Sequence, residues 1–295
     1  AQGASNILVR DSTQGSSVKF GDIITFTAKL KKPLSIKSDD GRIFDYAHYL
    51  SKDDVFYIAE TSNVKVDQKA TAEARDFLTQ IQTGLFAFKN KFIENIEAGI
   101  PAPHSYLGEG LVISGKGSLD KDLLTEFQRV GLIHIVVLSG FNISIVGETV
   151  FRIFSFLPKI MGAILGSVSI VLFGLMTGGG ATVWRSVIMS IIGIYARVSG
   201  RKNSALISLC FAGSLMLIIT PKLLFHDPSF QLSFMATLGL ILFAEPFQRI
   251  LSKNFIRLFT AFRLDKFRLK VTHFESLLEL VSSTLATQVF TLPMI

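Results

Sequence analysis

The chain has 295 residues, of which 49% are hydrophobic and 18% are charged, and its formal net charge is +7. Residues 1–100 carry 13 Lys and Arg against 13 Asp and Glu, so the whole positive excess lies in residues 101–295. A single cysteine excludes an internal disulfide bond. Because residues 1–100 have no net charge, the positive total is not evidence of a basic nucleic-acid-binding surface in this part of the chain.

The first segment has the pattern of short β-strands. Apolar and polar residues alternate in 5–12, 18–30 and 55–66, with many β-branched and aromatic residues. Strands at a spacing of about ten residues are typical of small barrels, and a five-stranded barrel of the OB type fits this length. We therefore predict an OB-like β domain over residues 1–69, with a short helix or capped turn at 44–50.

A helical period follows in residues 71–98, where apolar residues recur at steps of three and four. They are Phe77, Ile81, Leu85, Phe88, Phe92 and Ile96. The pattern predicts an amphipathic helix that packs on a neighbouring domain or lies at the membrane surface. With a further helix at 119–131, opened by Ser118, it forms a predicted helical connector over residues 70–125.

The rest of the chain, 126–295, is predicted to be a polytopic α-helical transmembrane bundle. Its apolar stretches are about long enough to cross a hydrocarbon core of ~30 Å. They cover about 131–157, 160–177, 182–199, 204–220 and 229–247, and a sixth begins near 276. The sequence begins at Ala1 with a polar region that no signal peptide opens, and Ile295 lies in an unfinished apolar run, so we expect further sequence on both sides, including a membrane anchor upstream.

Loop charges predict the topology. The 248–275 connection carries seven Lys and Arg against two Asp and Glu, so the positive-inside bias places it in the cytoplasm. Counting back through the spans places residues 1–120 on the extracytoplasmic side of the cell membrane.

The stretch GLIHIVVLSGFNISIV, residues 131–146, is unusually polar for a membrane span. His134, Ser139 and Asn142 fit three roles: hydrogen bonds between helices, the lining of a pore or cavity, or a nucleophilic Ser/His site. The nucleophilic role lacks a nearby carboxylate that would orient His134. We assign no catalytic residue.

Three further polar residues lie in or near the apolar stretches. Arg185 stands close to the start of a span, where it either snorkels to the interface or faces a cavity and binds an anion. Gln231 and Ser233 stand near a predicted helix N-terminus, where they bond neighbouring helices or favour anions. The five scattered histidines and one cysteine lack metal-site spacing, so we predict no metal and no cofactor.

Basic and aromatic residues are interleaved in the front domain. The candidate DNA-binding residues are Lys19, Phe20, Lys29, Lys31, Lys32 and Arg42. Barrels that bind single strands combine a basic groove with stacking aromatic rings. Against this, half of the aromatic residues are expected in a barrel core, and Asp39 and Asp40 dilute the charge.

Several segments together resemble the ComEC family of competence proteins. FDYAHYLSKDDVFY (44–57) is similar to the end of the family's N-terminal OB-type domain, and GLIHIVVLSGFNISIV resembles its most specific motif. TVWRSVIM (182–189), HDPSFQLSFMATLGLILF (226–243) and the final Thr-Leu-Pro resemble later helices. Asn142 stands where many members have a second histidine. Asn cannot titrate near neutral pH, so a lining or structural role is favoured over acid–base chemistry.

The resemblance implies a channel that moves single-stranded transforming DNA across the cytoplasmic membrane. It implies a competence DNA receptor outside, a helicase or translocase in the cytoplasm, and a homo-oligomer as a possible assembly. The metallo-β-lactamase-like domain of some relatives is not in this sequence, so no nuclease activity is assigned to it. The channel candidates are His134, Ser139, Asn142, Arg185, Gln231 and Ser233.

Two other functions remain open from the residues alone. One is a membrane-embedded hydrolase that uses Ser139 and His134. The other is a transporter of a different anionic solute with an accessory domain.

Overall fold

The structure is a computed structural model, and it describes the greater part of the chain. The described residues are 6–11, 18, 20–37, 43–61, 64–67, 77–102, 104–113, 125–126, 129, 140–154, 156–261 and 271–294. The chain divides into two compact units, 1–194 and 195–295. The fold is mostly helical, with small sheets at the N-terminal end.

Seven short strands form the β part of the first unit. They are β1 (Asn6–Asp11), β2 (Ile24–Phe26), β3 (Lys29–Lys31), β4 (Ile36–Lys37), β5 (Ile43–Phe44), β6 (Val55–Thr61) and β7 (Val64–Val66). β6 is the central strand of a three-stranded sheet, parallel to β1 and antiparallel to β3. β2 pairs with β7 and β4 pairs with β5, both antiparallel. Strands are therefore confirmed, but in the described residues they pair in three separate sheets, and the closed barrel stays a prediction.

Between β5 and β6 lies the predicted short helix, α1 (Tyr46–Leu50). Asp45 caps it, because its carboxylate accepts a hydrogen bond from the His48 backbone N–H at 3.0 Å. Leu50 is buried at the end of α1, as are Ile58 and Ala59 of β6. The helix or capped turn expected at 44–50 is confirmed.

Two helices connect the β part to the apolar bundle. α2 (Phe77–Gly99) confirms the helical period, and α3 (His104–Ile113) follows it. α2 packs on α3 around Ile96 and Gly108, and it also packs on the apolar helix α5 (Lys159–Met176). Most of the second predicted connector helix, 119–131, falls outside the described residues.

Three apolar helices complete the first unit as it is described: α4 (Gly140–Ile153), α5, and α6 (Ala181–Val198). α5 and α6 have 18 residues each, or about 27 Å at 1.5 Å per residue. The turn between them needs glycine, because Gly178 and Gly179 have φ angles of 96° and 61°. Residues 178–180, three successive glycines, thus form the turn between the two helices.

The second unit contains the end of α6 and four further helices. They are α7 (Ala205–Ile219), α8 (Leu223–His226), α9 (Pro228–Ala261) and α10 (Val271–Thr291). α9 and α10 pack tightly, because a Cβ atom added to Gly239 would lie only 2.5 Å from the carbonyl oxygen of Ala286. Only a glycine permits this approach.

Among the described residues, three helices are long and apolar enough to cross a membrane: 159–176, 181–198 and 228–253. The sequence predicted at least five. α7 has 15 residues, or about 22 Å, and is shorter than a membrane core. Only 140–153 of the first predicted span is described as a helix, so that span stays a prediction.

Candidate functional site

The channel candidates of the first unit are Asn142 and Arg185, both half-buried. Asn142 lies in the first turn of α4, and Arg185 lies one turn into α6. His134 and Ser139 fall outside the described residues, so the hydrolase hypothesis built on them stays a prediction. The part of the candidate channel site that the structure describes is the contact between α4 and α6.

A close approach of α4 and α6 holds Arg185 in place. A Cβ atom added to Gly140 would overlap the hydroxyl oxygen of Ser186 and would lie 3.5 Å from Nη2 of Arg185. The guanidinium group is therefore next to the first described residue of α4. Because Gly140 has no side chain, the two backbones can come this near, as small residues allow between membrane helices.

Serine hydroxyls continue this contact along both helices. Oγ of Ser144 is 3.1 Å from Oγ of Ser190, and it donates a hydrogen bond to the Gly140 carbonyl at 3.2 Å. Ser186 donates to the carbonyl of Thr182 at 2.9 Å. We call the set Gly140, Ser144, Ser186 and Ser190 the small-residue contact.

Sequence reasoning missed this contact, although a signal was present. Gly140 and Ser144 are four residues apart, as are Ser186 and Ser190, so each pair lies on one helix face. A search for small residues repeated at this spacing would have found both pairs.

The guanidinium group of Arg185 makes a weak contact with sulfur. Its Nη1 donates to Sδ of Met189 at 3.5 Å, one turn along α6. Thioether sulfur is a weak acceptor, whereas a guanidinium group bonds most strongly to carboxylate and phosphate oxygens. Arg185 is thus a charged side chain within a helix of membrane-spanning length, where a charge is costly.

The second unit holds the other two channel candidates at the start of α9. The side-chain amide of Gln231 donates to the Leu224 carbonyl at 2.7 Å. Asp227, which is 1% exposed, accepts from the backbone N–H of Ser229 at 2.9 Å. These bonds fix the turn between α8 and α9, which is the structural alternative that the sequence left open for Gln231. The hydroxyl of Thr237 donates to the Ser233 carbonyl at 2.8 Å, and Ser233 is half-buried.

The described candidates for DNA binding in the β part have different surroundings. Lys29, Lys31 and Lys32 are exposed on or next to β3, whereas Lys19 and Arg42 fall outside the described residues. Lys31 pairs with Glu60 and holds the pKa of the Glu60 carboxyl below its usual value. The ring of Phe20 contacts that of Phe86 on α2 at a centroid distance of 5.1 Å. Phe20 thus serves packing between the β part and α2.

Two cation–π contacts near α1 were not predicted. Arg10 lies over the ring of Tyr46 at 5.8 Å, and Nζ of Lys52 lies 4.1 Å from the ring centre of Tyr49. The Lys52 contact is three residues apart in sequence, so local spacing could have suggested it. Arg10 is brought close only by the pairing of β1 with β6.

Comparisons with known proteins identify the family. The sequence profile of the family described as "Competence protein" matches residues 111–295, which is more than half of the chain. The chain belongs to the Competence protein family. Membership confirms the resemblance seen in the sequence, and together with the apolar helices it makes this a membrane protein.

Two relatives match part of this Competence family chain. ComE operon protein 3 of Bacillus subtilis (strain 168) is 24% identical over 212 residues, covering 70% of this chain and 26% of that protein. An uncharacterized protein of Aquifex aeolicus (strain VF5) is 31% identical over 137 residues, covering 45% of this chain and 32% of the relative. The chain thus spans about a quarter to a third of the relatives that it matches. No solved structure matches it.

The described residues offer no metal centre. They contain no group of three or more His, Cys, Asp or Glu side chains placed to hold an ion. The described part of the site thus consists of the Arg185 guanidinium group next to Gly140 and the hydroxyl side chains of Ser144, Ser186 and Ser190.

Proposed function

We propose that the chain forms part of a membrane channel for DNA uptake in natural competence, and that Arg185 contacts the passing phosphates. Membership of the Competence family supports the role in uptake. The observation that carries the role of Arg185 is the position of its guanidinium group, half-buried in the apolar helix α6 and beside Gly140 at the start of α4.

The physical argument concerns how strongly a moving polyanion is held. A cation within a span costs at least a few kcal/mol, so a position that keeps one is expected to use it. A dense cluster of cations would trap a phosphate backbone, whereas one arginine with neutral hydroxyl groups binds each phosphate briefly. Asn142, in the first turn of α4, supplies a neutral polar group in this proposal.

The transported form in this proposal is single-stranded DNA. The β part, on the extracytoplasmic side, receives the strand from a DNA receptor, and a cytoplasmic helicase or translocase draws it inward. Exposed Lys29 and Lys32 supply phosphate contacts in the β part. In the same proposal, the strands of the β part form an OB-type barrel.

The test is transformation of a competent host whose full-length protein carries Arg185→Gln. Loss of a charge-assisted hydrogen bond, about 1.5–3 kcal/mol, corresponds to a roughly ten- to hundredfold drop in transformants. Arg185→Lys keeps the charge but loses the planar donor pair, so an intermediate frequency is expected. Arg197→Gln, at the exposed C-terminal end of α6, is the matched control and should transform normally.

Protein amount is measured in each strain, because an unstable variant would also transform poorly. Normal transformation by Arg185→Gln at normal protein amount would refute the phosphate contact. Equal losses in Arg185→Gln and Arg197→Gln would also refute it, since the effect would then not depend on position.

A further inference from the structure

α2 has two long faces with opposite environments. On one side, Thr83 donates a hydrogen bond to the Phe20 carbonyl at 3.2 Å, and the Phe86 ring packs on the Phe20 ring. A Cβ atom added to Gly21 would lie 2.7 Å from Cγ2 of Thr79, so this contact is close. The β part therefore packs on this side of α2.

The other side of α2 exposes phenylalanine rings. Phe77, Phe88 and Phe92 are 71%, 63% and 36% exposed. At 100° per residue they fall within about 60° of one another, and roughly 120–180° from Phe86 and Thr79. We call these three residues the phenylalanine stripe. Exposed aromatic rings gathered on one face of a helix mark an interaction surface.

We propose that the phenylalanine stripe of α2 lies in the interface of the lipid bilayer, with the helix parallel to the membrane plane. α2 packs against α5, which is itself long and apolar enough to cross a membrane. The outward side chains of α5 are apolar and exposed, with Ile160 at 63% and Ile164 at 47%. Because α2 packs on α5, it lies next to the lipid that surrounds α5. The same lipid can therefore contact the phenylalanine stripe of α2.

The charges of α2 exclude the alternative of a membrane crossing. Lys89, Lys91, Glu94 and Glu97 lie within its 23 residues, and the helix is not among those apolar enough to span. An amphipathic helix with apolar rings on one side and charges elsewhere lies in the interface, with its rings among the acyl chains and its charges at the headgroups. Because the β part sits on the opposite side, α2 fixes the β part at the membrane surface. This inference does not depend on DNA transport.

A single-tryptophan experiment tests it, because Trp184 is the only tryptophan of the chain. The Trp184→Phe background receives Phe88→Trp as the reporter and Asn90→Trp as the matched control. Asn90 is exposed and lies about 160° around the helix from Phe88. Each variant is placed in nanodiscs of phosphatidylcholine with brominated or ordinary acyl chains, and its emission is compared.

The reporter at 88 should lose most of its emission in brominated lipid, while the control at 90 should keep nearly all of its own. Phe92→Trp is a second reporter and should behave like the first. Equal emission of the reporters in both lipids would overturn the proposal. If their emission were blue-shifted but unquenched, a protein partner would cover the stripe, which also overturns it. Circular dichroism and elution volume in detergent confirm that each variant is folded.

Discussion

The contact between Gly140 and Ser186 permits a test in which size alone is changed. In Gly140→Ala the new methyl group overlaps the Ser186 hydroxyl, and it lies 3.2 Å from Ser186 Cβ, which cannot move without the backbone. The overlap costs about 1–3 kcal/mol, and displacing the hydroxyl from the Thr182 carbonyl costs about 0.5–1.5 kcal/mol more. Alanine stabilises a helix by about 0.5–1 kcal/mol relative to glycine, which offsets part of this cost. We therefore expect a net loss of about 1–3 kcal/mol.

The assay is reversible unfolding in detergent micelles with increasing sodium dodecyl sulfate. Ser186→Ala removes the overlapping hydroxyl, so in the double variant a coupling energy of about 1 kcal/mol or more should return. The control is Gly84→Ala on α2, where a Cβ atom meets nothing within 4 Å and a small gain in stability is expected. If Gly140→Ala proved as stable as the unchanged chain, or if Ser186→Ala brought no relief, the close approach of α4 and α6 would be refuted.

Three further predictions concern other parts of the fold. Gly239→Ala places a methyl group against the backbone oxygen of Ala286, which no rotamer can avoid, so its unfolding free energy should fall by about 3 kcal/mol or more. Asp227→Ala removes a buried cap of α9 and should cost about 1–2 kcal/mol in the same assay. Lys31→Gln should raise the pKa of Glu60 towards its ordinary value of 4.5, which carbon NMR of labelled glutamate can follow.

Each of these has an outcome that contradicts it. Unchanged stability of Gly239→Ala or of Asp227→Ala would show that the described packing of α9 is wrong. For Glu60, the lowered pKa in the folded chain determines how the ion pair's contribution to stability changes with pH. The small stabilisation by the exposed pair is present above the unfolded pKa and disappears as the pH falls through the folded pKa. A Glu60 pKa that does not move in Lys31→Gln would contradict the pairing.

Local features of the fold were the most predictable. The short helix α1, the helical period of α2, and the apolar helices α5 and α6 depend on residues close in sequence. Helix capping and hydrophobic periodicity express physical rules that operate over a few residues. For that reason the sequence alone was enough to place them.

Features that depend on distant residues were not predicted. The parallel pairing of β1 with β6 joins segments almost fifty residues apart, and alternation alone does not specify a partner. The sequence suggested one barrel, whereas the described strands pair in three sheets. The hydrogen bond of the Gln231 amide to the Leu224 carbonyl was also not predicted, because the turn between α8 and α9 brings the two groups together.

The site itself was predicted in part. Arg185 stood out because a charge in an apolar stretch is costly. Its neighbours Gly140 and Ser186 did not, because their importance comes from the distance between two helices rather than from their chemistry. The phenylalanine stripe shows the same limit, since the period of α2 predicted its faces but could not say which face the β part covers.

The central claim, that Arg185 faces a water-filled path taken by DNA, can be tested by chemical labelling. Cys210 is the only cysteine of this sequence, so Cys210→Ser provides a cysteine-free background for Arg185→Cys in the 295-residue chain. In membrane vesicles a charged, membrane-impermeant methanethiosulfonate reagent should label residue 185, and single-stranded DNA should slow that labelling. Absence of labelling in a folded variant, or a labelling rate that single-stranded DNA leaves unchanged, would contradict the account.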